Sequence, residues 1–134
     1  MFADINKAFE THFRDNAPTG YEIMYSNVPV LTAKKSNFFR VEVLPSVRDY
    51  GVFGGDRIRG EVQLSLFTPA NEGLLKVNEF VDSIALLTDG KTLVYTSGEL
   101  QTRRGNIIFS GIDREKSSLY LTQLRWAYEA NKVI

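Results

Sequence analysis

Cysteine is absent from this chain of 134 residues, which excludes a disulfide scaffold, thiolate metal sites and thiol catalysis and leaves the compartment open. Histidine occurs once, at His12, too few for a structural zinc site built on N and S ligands. A Ser-His-Asp arrangement needs that histidine to meet a serine and a carboxylate, and no nucleophile-elbow pattern supplies them, so His12 is expected to be a surface histidine. Excess charge of either sign is missing too: sixteen basic residues balance sixteen acidic ones. No global field therefore draws in nucleic acid or an anionic membrane. No apolar run approaches the roughly 18 residues of a spanning helix, and the opening MFADINKAFETHF is amphipathic rather than signal-like. A soluble protein, cytoplasmic when made, is expected.

What is present is core material. Apolar residues make up 43% of the chain, with nine Phe, six Tyr and one Trp. One domain of this size buries roughly two thirds of its unfolded surface, and intrinsic disorder is excluded.

From Phe2 to Phe13 the large apolar residues Phe2, Ile5, Phe9 and Phe13 recur at spacings of three and four, which predicts a helix with one buried stripe. Asn16, Pro18 and Gly20 end it. Tyr21 to Thr32, with Pro29 inside, reads as an edge strand or strand pair. Phe38 to Leu44 is a strand with Phe39, Val41 and Val43 on one face. Arg57 to Phe67 alternates cleanly, placing Ile58, Val62, Leu64 and Leu66 opposite Arg57, Arg59, Glu61, Gln63 and Ser65. Between these two strands Ser46 to Asp56 reads as a long glycine-rich loop. Helical spacing resumes from Leu74 to Leu87 through Val77, Phe80, Val81 and Ile84 and stops at Thr88-Asp89-Gly90. Thr92 to Thr96, Glu99 to Phe109 with an interruption at Arg103-Arg104-Gly105-Asn106, and Leu119 to Ala130 are further strands. The last carries Tyr120, Leu124, Trp126 and Tyr128 on one face. The expected fold is α+β, a largely antiparallel or mixed sheet with two helices packed on one face.

Catalytic chemistry is hard to find in these strings. Glu42 and Glu61 lie on the polar face of neighbouring strands, where carboxylates meet water. Gly51 to Arg57 lacks the Gly-Lys-Ser/Thr end of a P-loop and leads into a strand. Arg57 with Arg59, and Arg103 with Arg104, are basic clusters, but the aromatics needed to stack bases are committed to the core. No catalytic, metal-binding or cofactor-binding residue is assigned, and no cofactor is expected.

A surplus of apolar surface is more informative. At about 100° per residue, Leu75 and Leu86 fall outside the core stripe of the second helix, in one line with Glu79 and Asp82 between them. Two leucines in line on a charged face point to a subunit contact, with Arg57, Arg59, Arg103 and Arg104 as candidate partners of the two carboxylates. The off-face residues Phe38, Leu44, Leu119 and Leu121 point the same way.

The N-terminal amphipathic helix, the strand Phe38-Phe39-Arg40-Val41-Glu42-Val43-Leu44 with its following loop, and the string Gly60-Glu61-Val62-Gln63-Leu64-Ser65-Leu66-Phe67-Thr68-Pro69-Ala70 resemble the tail terminator (tail completion, minor tail U-like) proteins of long-tailed bacteriophages. So do the acidic amphipathic helix from Asn71 to Leu87 and the closing aromatic strand from Leu119 to Ala130. The resemblance covers nearly the whole chain as a single domain, residues 1–134. It implies a non-enzymatic virion protein of the tail-neck region, assembled in the host cytoplasm. Such a protein forms a homo-hexameric ring that caps the tail tube, ends its polymerisation and joins the head-tail connector protein. The implied partners are therefore the chain itself, the tail tube protein and the connector, with no membrane and no sequence-specific nucleic acid, DNA passing through the ring. On this reading Arg48, Tyr50, Val52, Phe53 and Asp56 form a loop that orders against the tube. Another connector or tube component, or a small non-phage binding module, are the alternatives. Gly90 to Lys116 carries no assigned role.

Overall fold

The computed structural model describes residues 2–25, 37–50, 56–70, 73–95, 98–112 and 119–132, with only the backbone described at 45–50, 56, 131 and 132. Helix α1 (Phe2–Asn16) is followed by strands β1 (Glu22–Tyr25), β2 (Phe38–Tyr50) and β3 (Asp56–Pro69), helix α2 (Leu75–Thr88), and strands β4 (Thr92–Tyr95), β5 (Gly98–Thr102), β6 (Asn106–Ile112) and β7 (Leu119–Lys132). The seven strands make one sheet in the order β1-β2-β3-β7-β5-β4, with β6 also paired to β7. Among the described residues every pairing is antiparallel except β1 with β2. The fold is thus α+β with a mixed sheet, as expected.

Period two decides which side chains meet the helices. Phe39, Val41 and Val43 stand opposite Leu66, Leu64 and Val62, which in turn stand opposite Thr122, Leu124 and Trp126. Onto this face α1 lowers Ile5, Phe9 and Phe13, and α2 lowers Val77, Phe80 and Ile84, closing one core. Trp126 lies fully buried in it, with Phe13 at a ring distance of 5.6 Å. Helix α1 touches both β2 and β4, far apart in the strand order, so the sheet curls around it. No described helix is long and apolar enough to cross a membrane.

Three expectations need correction. Ser46 to Asp56 is not one loop: β2 continues to Tyr50 and β3 starts at Asp56, with a register irregularity between Pro45 and Val47. The physical reason is β7, which pairs with β3 down to Asp56 opposite Lys132 and so holds a template on which β2 extends. Phe38 and Leu119 are buried within the subunit, forming with Met24, Phe67 and Leu121 a small cluster on the face away from the helices. The rings of Phe38 and Phe67 stack at 4.7 Å. Leu74, at the N-cap of α2, and Leu87 are exposed, and Thr88 is buried instead, because the Thr102 hydroxyl donates to Thr88 O and holds the last turn of the helix against β5.

The break in the strand between Glu99 and Phe109 is real. Strands β5 and β6 lie along successive stretches of β7, and Arg103 to Gly105 bridge them, the Arg103 N–H donating to Ala127 O at 2.9 Å. Gly105 is required there. A Cβ on it would lie 2.2 Å from Trp126 Nε1, inside the buried indole.

Candidate functional site

Two outward surfaces carry the apolar surplus, and each is made by elements whose other side serves the core. The inward side of α2 is Val77, Phe80, Ile84 and Thr88. Its outward side then presents Leu75 and Leu86, 73% and 77% exposed, with Glu79 and Asp82 exposed between them. The face read from the sequence is therefore present as an open surface.

The second surface was not singled out in the sequence. Strand β6 pairs with β7 along one edge, and among the described residues no strand lies along the other. Ile107, Ile108, Phe109 and Ile112 are all exposed on it, Ile107 by 53%. Register slips between Ile107 and Phe109, so Ile108 has no residue opposite it on β7. Such a bulge at an edge twists the strand away from edge-to-edge pairing. Three consecutive apolar residues, Ile107-Ile108-Phe109, were the signal available. Alternation alone assigns at least one of them to the core, and only tertiary placement reveals that this strand has no layer above it.

The four arginines nominated as contacts separate. Arg57 and Arg59 lie on the sheet face away from the helices, and Arg57 Nη1 sits 3.7 Å from Glu129 Oε1, both side chains about two thirds covered. Arg59 is also engaged. Arg103 and Arg104 are exposed in the bridge just before β6. Neither they nor Glu79 and Asp82 have an ion-pair partner among the described residues. Of the residues nominated for a tube-contacting loop, Arg48 and Tyr50 belong to β2, opposite Ile58 and Asp56, and Asp56 opens β3. Val52 and Phe53 lie outside the described residues.

The face away from the helices is a ladder of polar side chains bonded to one another. Arg125 Nη2 donates to Gln63 Oε1 at 2.9 Å, its Nε lies 3.2 Å from Glu61 Oε2, and Gln123 Nε2 donates to Ser65 Oγ at 3.3 Å. Glu61 is thereby paired, and register places it opposite Leu44 rather than Glu42. The two carboxylates form no acid/base dyad.

His12 departs from the surface histidine expected of it. It is half-buried where α1 crosses the end of α2, with Nε2 3.0 Å from Thr88 Oγ1 and Nδ1 3.4 Å from Asn16 Nδ2. Burial lowers its pKa below the ordinary value, partly opposed by the Asp15 carboxylate. The neutral ring thus ties the two helices together. Nearby, Asp89 caps α2 and its Oδ1 accepts from Trp126 Nε1 at 2.7 Å and from the Gly105 N–H at 2.9 Å. Thr102 Oγ1 donates to Thr88 O and accepts from the Lys91 N–H. These bonds pin the C-terminus of α2 to the β5–β6 bridge.

A groove of 380 Å³ runs between α1 and β4, lined in part by Asp4, Lys7, His12 and Tyr95. Both His12 nitrogens are already engaged. Burial, with Asp4 and Glu99 adding, raises the Tyr95 pKa, and burial plus Tyr95 pushes Tyr128 up to about 12. Both phenols are protonated at neutral pH and supply no base. Among the described residues no group of three His, Asp or Glu side chains converges as a metal site would need.

Compared with known proteins, the chain matches no family model and no curated protein. Solved structures do share its fold. One chain from the virion of a native gene transfer agent particle superposes with a TM-score of 0.68 at 14% identity, covering 96% of each chain. A second solved structure superposes with a TM-score of 0.67 at 21% identity over 97% of this chain and 95% of that one. At such identities the likeness is one of fold.

Proposed function

We propose that this chain is a structural virion protein of a phage or phage-like particle, and that within the particle it acts as a tail terminator. The observation that carries the reading is the fold shared, end to end, with a chain of a gene transfer agent virion. The open, apolar-and-charged surfaces of α2 and β6 support it, because a heterologous ring consumes two different patches on every subunit. The role is assembly rather than catalysis. A homo-hexameric ring closes on the head-proximal end of the finished tail tube, stops its growth and presents a joining surface to the connector, in the neck of the virion. A ring open at its centre leaves a path for DNA without reading its sequence.

The test is purified protein mixed with tail tubes, followed by light scattering after size exclusion and by negative-stain images. Rings seated on tube ends, with tube length no longer increasing, are expected. Open stacked tubes assign the chain to the tube itself, and rings that bind connector but not tube assign it to another neck component. A strict monomer that never engages tubes and melts at higher temperature with a small ligand overturns the virion reading in favour of a binding module.

A further inference from the structure

The two exposed apolar surfaces match each other in length and in charge. Leu75 and Leu86 are eleven residues apart on a helix, a separation of about 16 Å at the helical rise. Ile107 and Ile112 are five residues apart on a strand, about 17 Å at the rise of a strand. Between the leucines stand two carboxylates, Glu79 and Asp82, and beside the isoleucines stand two guanidinium groups, Arg103 and Arg104, all four exposed. Nothing of the kind joins α2 to the other basic pair, since Arg57 is held by Glu129 and Arg59 is engaged.

We propose that these surfaces are the two halves of one contact between copies of this chain. The outward face of α2 in one subunit packs on β6 of the next, Leu75 and Leu86 against Ile107 and Ile112, which the register places on one face of the strand, with Glu79 and Asp82 facing Arg103 and Arg104. The occupant is a second copy because each patch supplies what the other lacks, and both are borne by the same molecule. The contact is heterologous, each subunit giving its helix face to one neighbour and its edge strand to another. Closure into a ring rests on the tail-terminator reading; the pairwise contact does not. The leucines and isoleucines provide the apolar burial, and the charges set register and reject the inverted, like-with-like pairings. The Asp89 bonds to Trp126 and Gly105 give the arrangement a fixed geometry, since they hold the end of α2 against the bridge from which β6 departs.

The lack of cysteine makes the test clean. Asn78→Cys, on the exposed side of α2, and Asn106→Cys, at the start of β6, are made separately, outside the proposed contact side chains. Equal amounts are mixed and joined with a short bifunctional maleimide. A heterologous contact yields the mixed dimer in large excess over either homodimer, and the doubly substituted chain gives a ladder of multimers. Adding Leu75→Asp to the helix variant removes the excess while circular dichroism and melting stay those of the folded subunit. In the charge test, Glu79→Lys with Asp82→Lys lowers the mixed dimer by roughly tenfold, the size expected when two exposed pairs become repulsive. Arg103→Glu with Arg104→Glu on the partner restores it. A statistical ratio of mixed to like dimers, or a mixed dimer indifferent to Leu75→Asp and to charge reversal, overturns the proposal. If tubes are capped without the cross-link, the terminator reading stands and the contact lies elsewhere. If the cross-link forms and no tube is capped, the contact stands and the terminator reading fails.

Discussion

Helices α1 and α2 lie on the same face of one sheet, differ by a single residue in length, and perform the same task inward. Ile5, Phe9 and Phe13 fill the core from the first, and Val77, Phe80 and Ile84 from the second. Outward they diverge. The exposed side of α1 carries Asn6, Lys7, Arg14 and Asp15, with Phe2 46% exposed at its first residue, whereas α2 exposes Leu75 and Leu86, 73% and 77%, around Glu79 and Asp82. Folding has no use for leucines three-quarters in water, so a difference confined to the outward sides separates what the fold requires from what a partner requires. The same division runs through the strands: β3 and β7 are covered on the helix face, while β6, on the same β7, is apolar and uncovered.

The inward equivalence of the two helices is tested by truncation. Phe9→Ala and Phe80→Ala each remove a fully buried ring, and each should cost about 3–5 kcal/mol of unfolding free energy, measured by urea denaturation. Such a loss is a large share of the stability of an ordinary domain. A much smaller cost on α2 alone would mean that its inward side is not core, and would collapse the comparison.

The anchoring of α2 comes next in size. Gly105→Ala drives a methyl into the Trp126 indole and should destabilise by roughly 1–3 kcal/mol, and Asp89→Ala should fall in a similar range by leaving the indole N–H and the Gly105 N–H without their acceptor. Thermal melts of both variants measure this, and Asp89→Asn, which keeps an acceptor oxygen, should recover part of the loss.

A smaller effect distinguishes the helices by pH. His12 has a folded pKa below its unfolded value, so the neutral ring's contribution is complete above the unfolded pKa of about 6.5 and is lost as pH falls through the folded pKa. Melting temperature should decline over that window on the acid side of neutrality, and His12→Gln should flatten the decline. An unchanged slope would detach His12 from the junction of the two helices. Smallest of all on stability is the outward face of α2: Leu75→Asp with Leu86→Asp should shift unfolding by no more than about 0.5 kcal/mol per site while abolishing self-association in light scattering. The matching change on α1, Lys7→Asp with Arg14→Asp, should leave association intact.

Local periodicity made α1, the cores of β2 and β3, the inward side of α2 and the aromatic face of β7 legible, because in each a single buried face dictates the pattern of residues. Even the break at Arg103–Asn106 was visible, since two arginines followed by a glycine interrupt the alternation. What could not be read depends on pieces of chain brought together from afar. The parallel pairing of β1 with β2, the extension of β2 along a β3 held by β7, and the covering of Phe38 by Phe67 and Leu119 are all properties of register between distant segments. Leu74 and Leu87 sit at the edges of the helical stripe, where the wheel alone does not say how far a neighbour reaches. Of the candidate contact residues, Leu75, Glu79, Asp82 and Leu86 were legible as a face because helix geometry is local. The apolar edge of β6 was not, because exposure of a strand depends on which layer covers it.

The indole of Trp126 offers a use beyond packing. It is the sole tryptophan of the chain, it is fully buried, its N–H is bonded to a carboxylate at the end of α2, and the backbone of Gly105 lies against its ring one residue before β6 begins. The emission wavelength and excited-state lifetime of that single fluorophore therefore read the local field at the junction of α2 and β6 with no background to subtract. If the proposed contact forms, titrating one subunit with another should shift that emission, because the carboxylate and the strand that frame the ring belong to the two elements in contact.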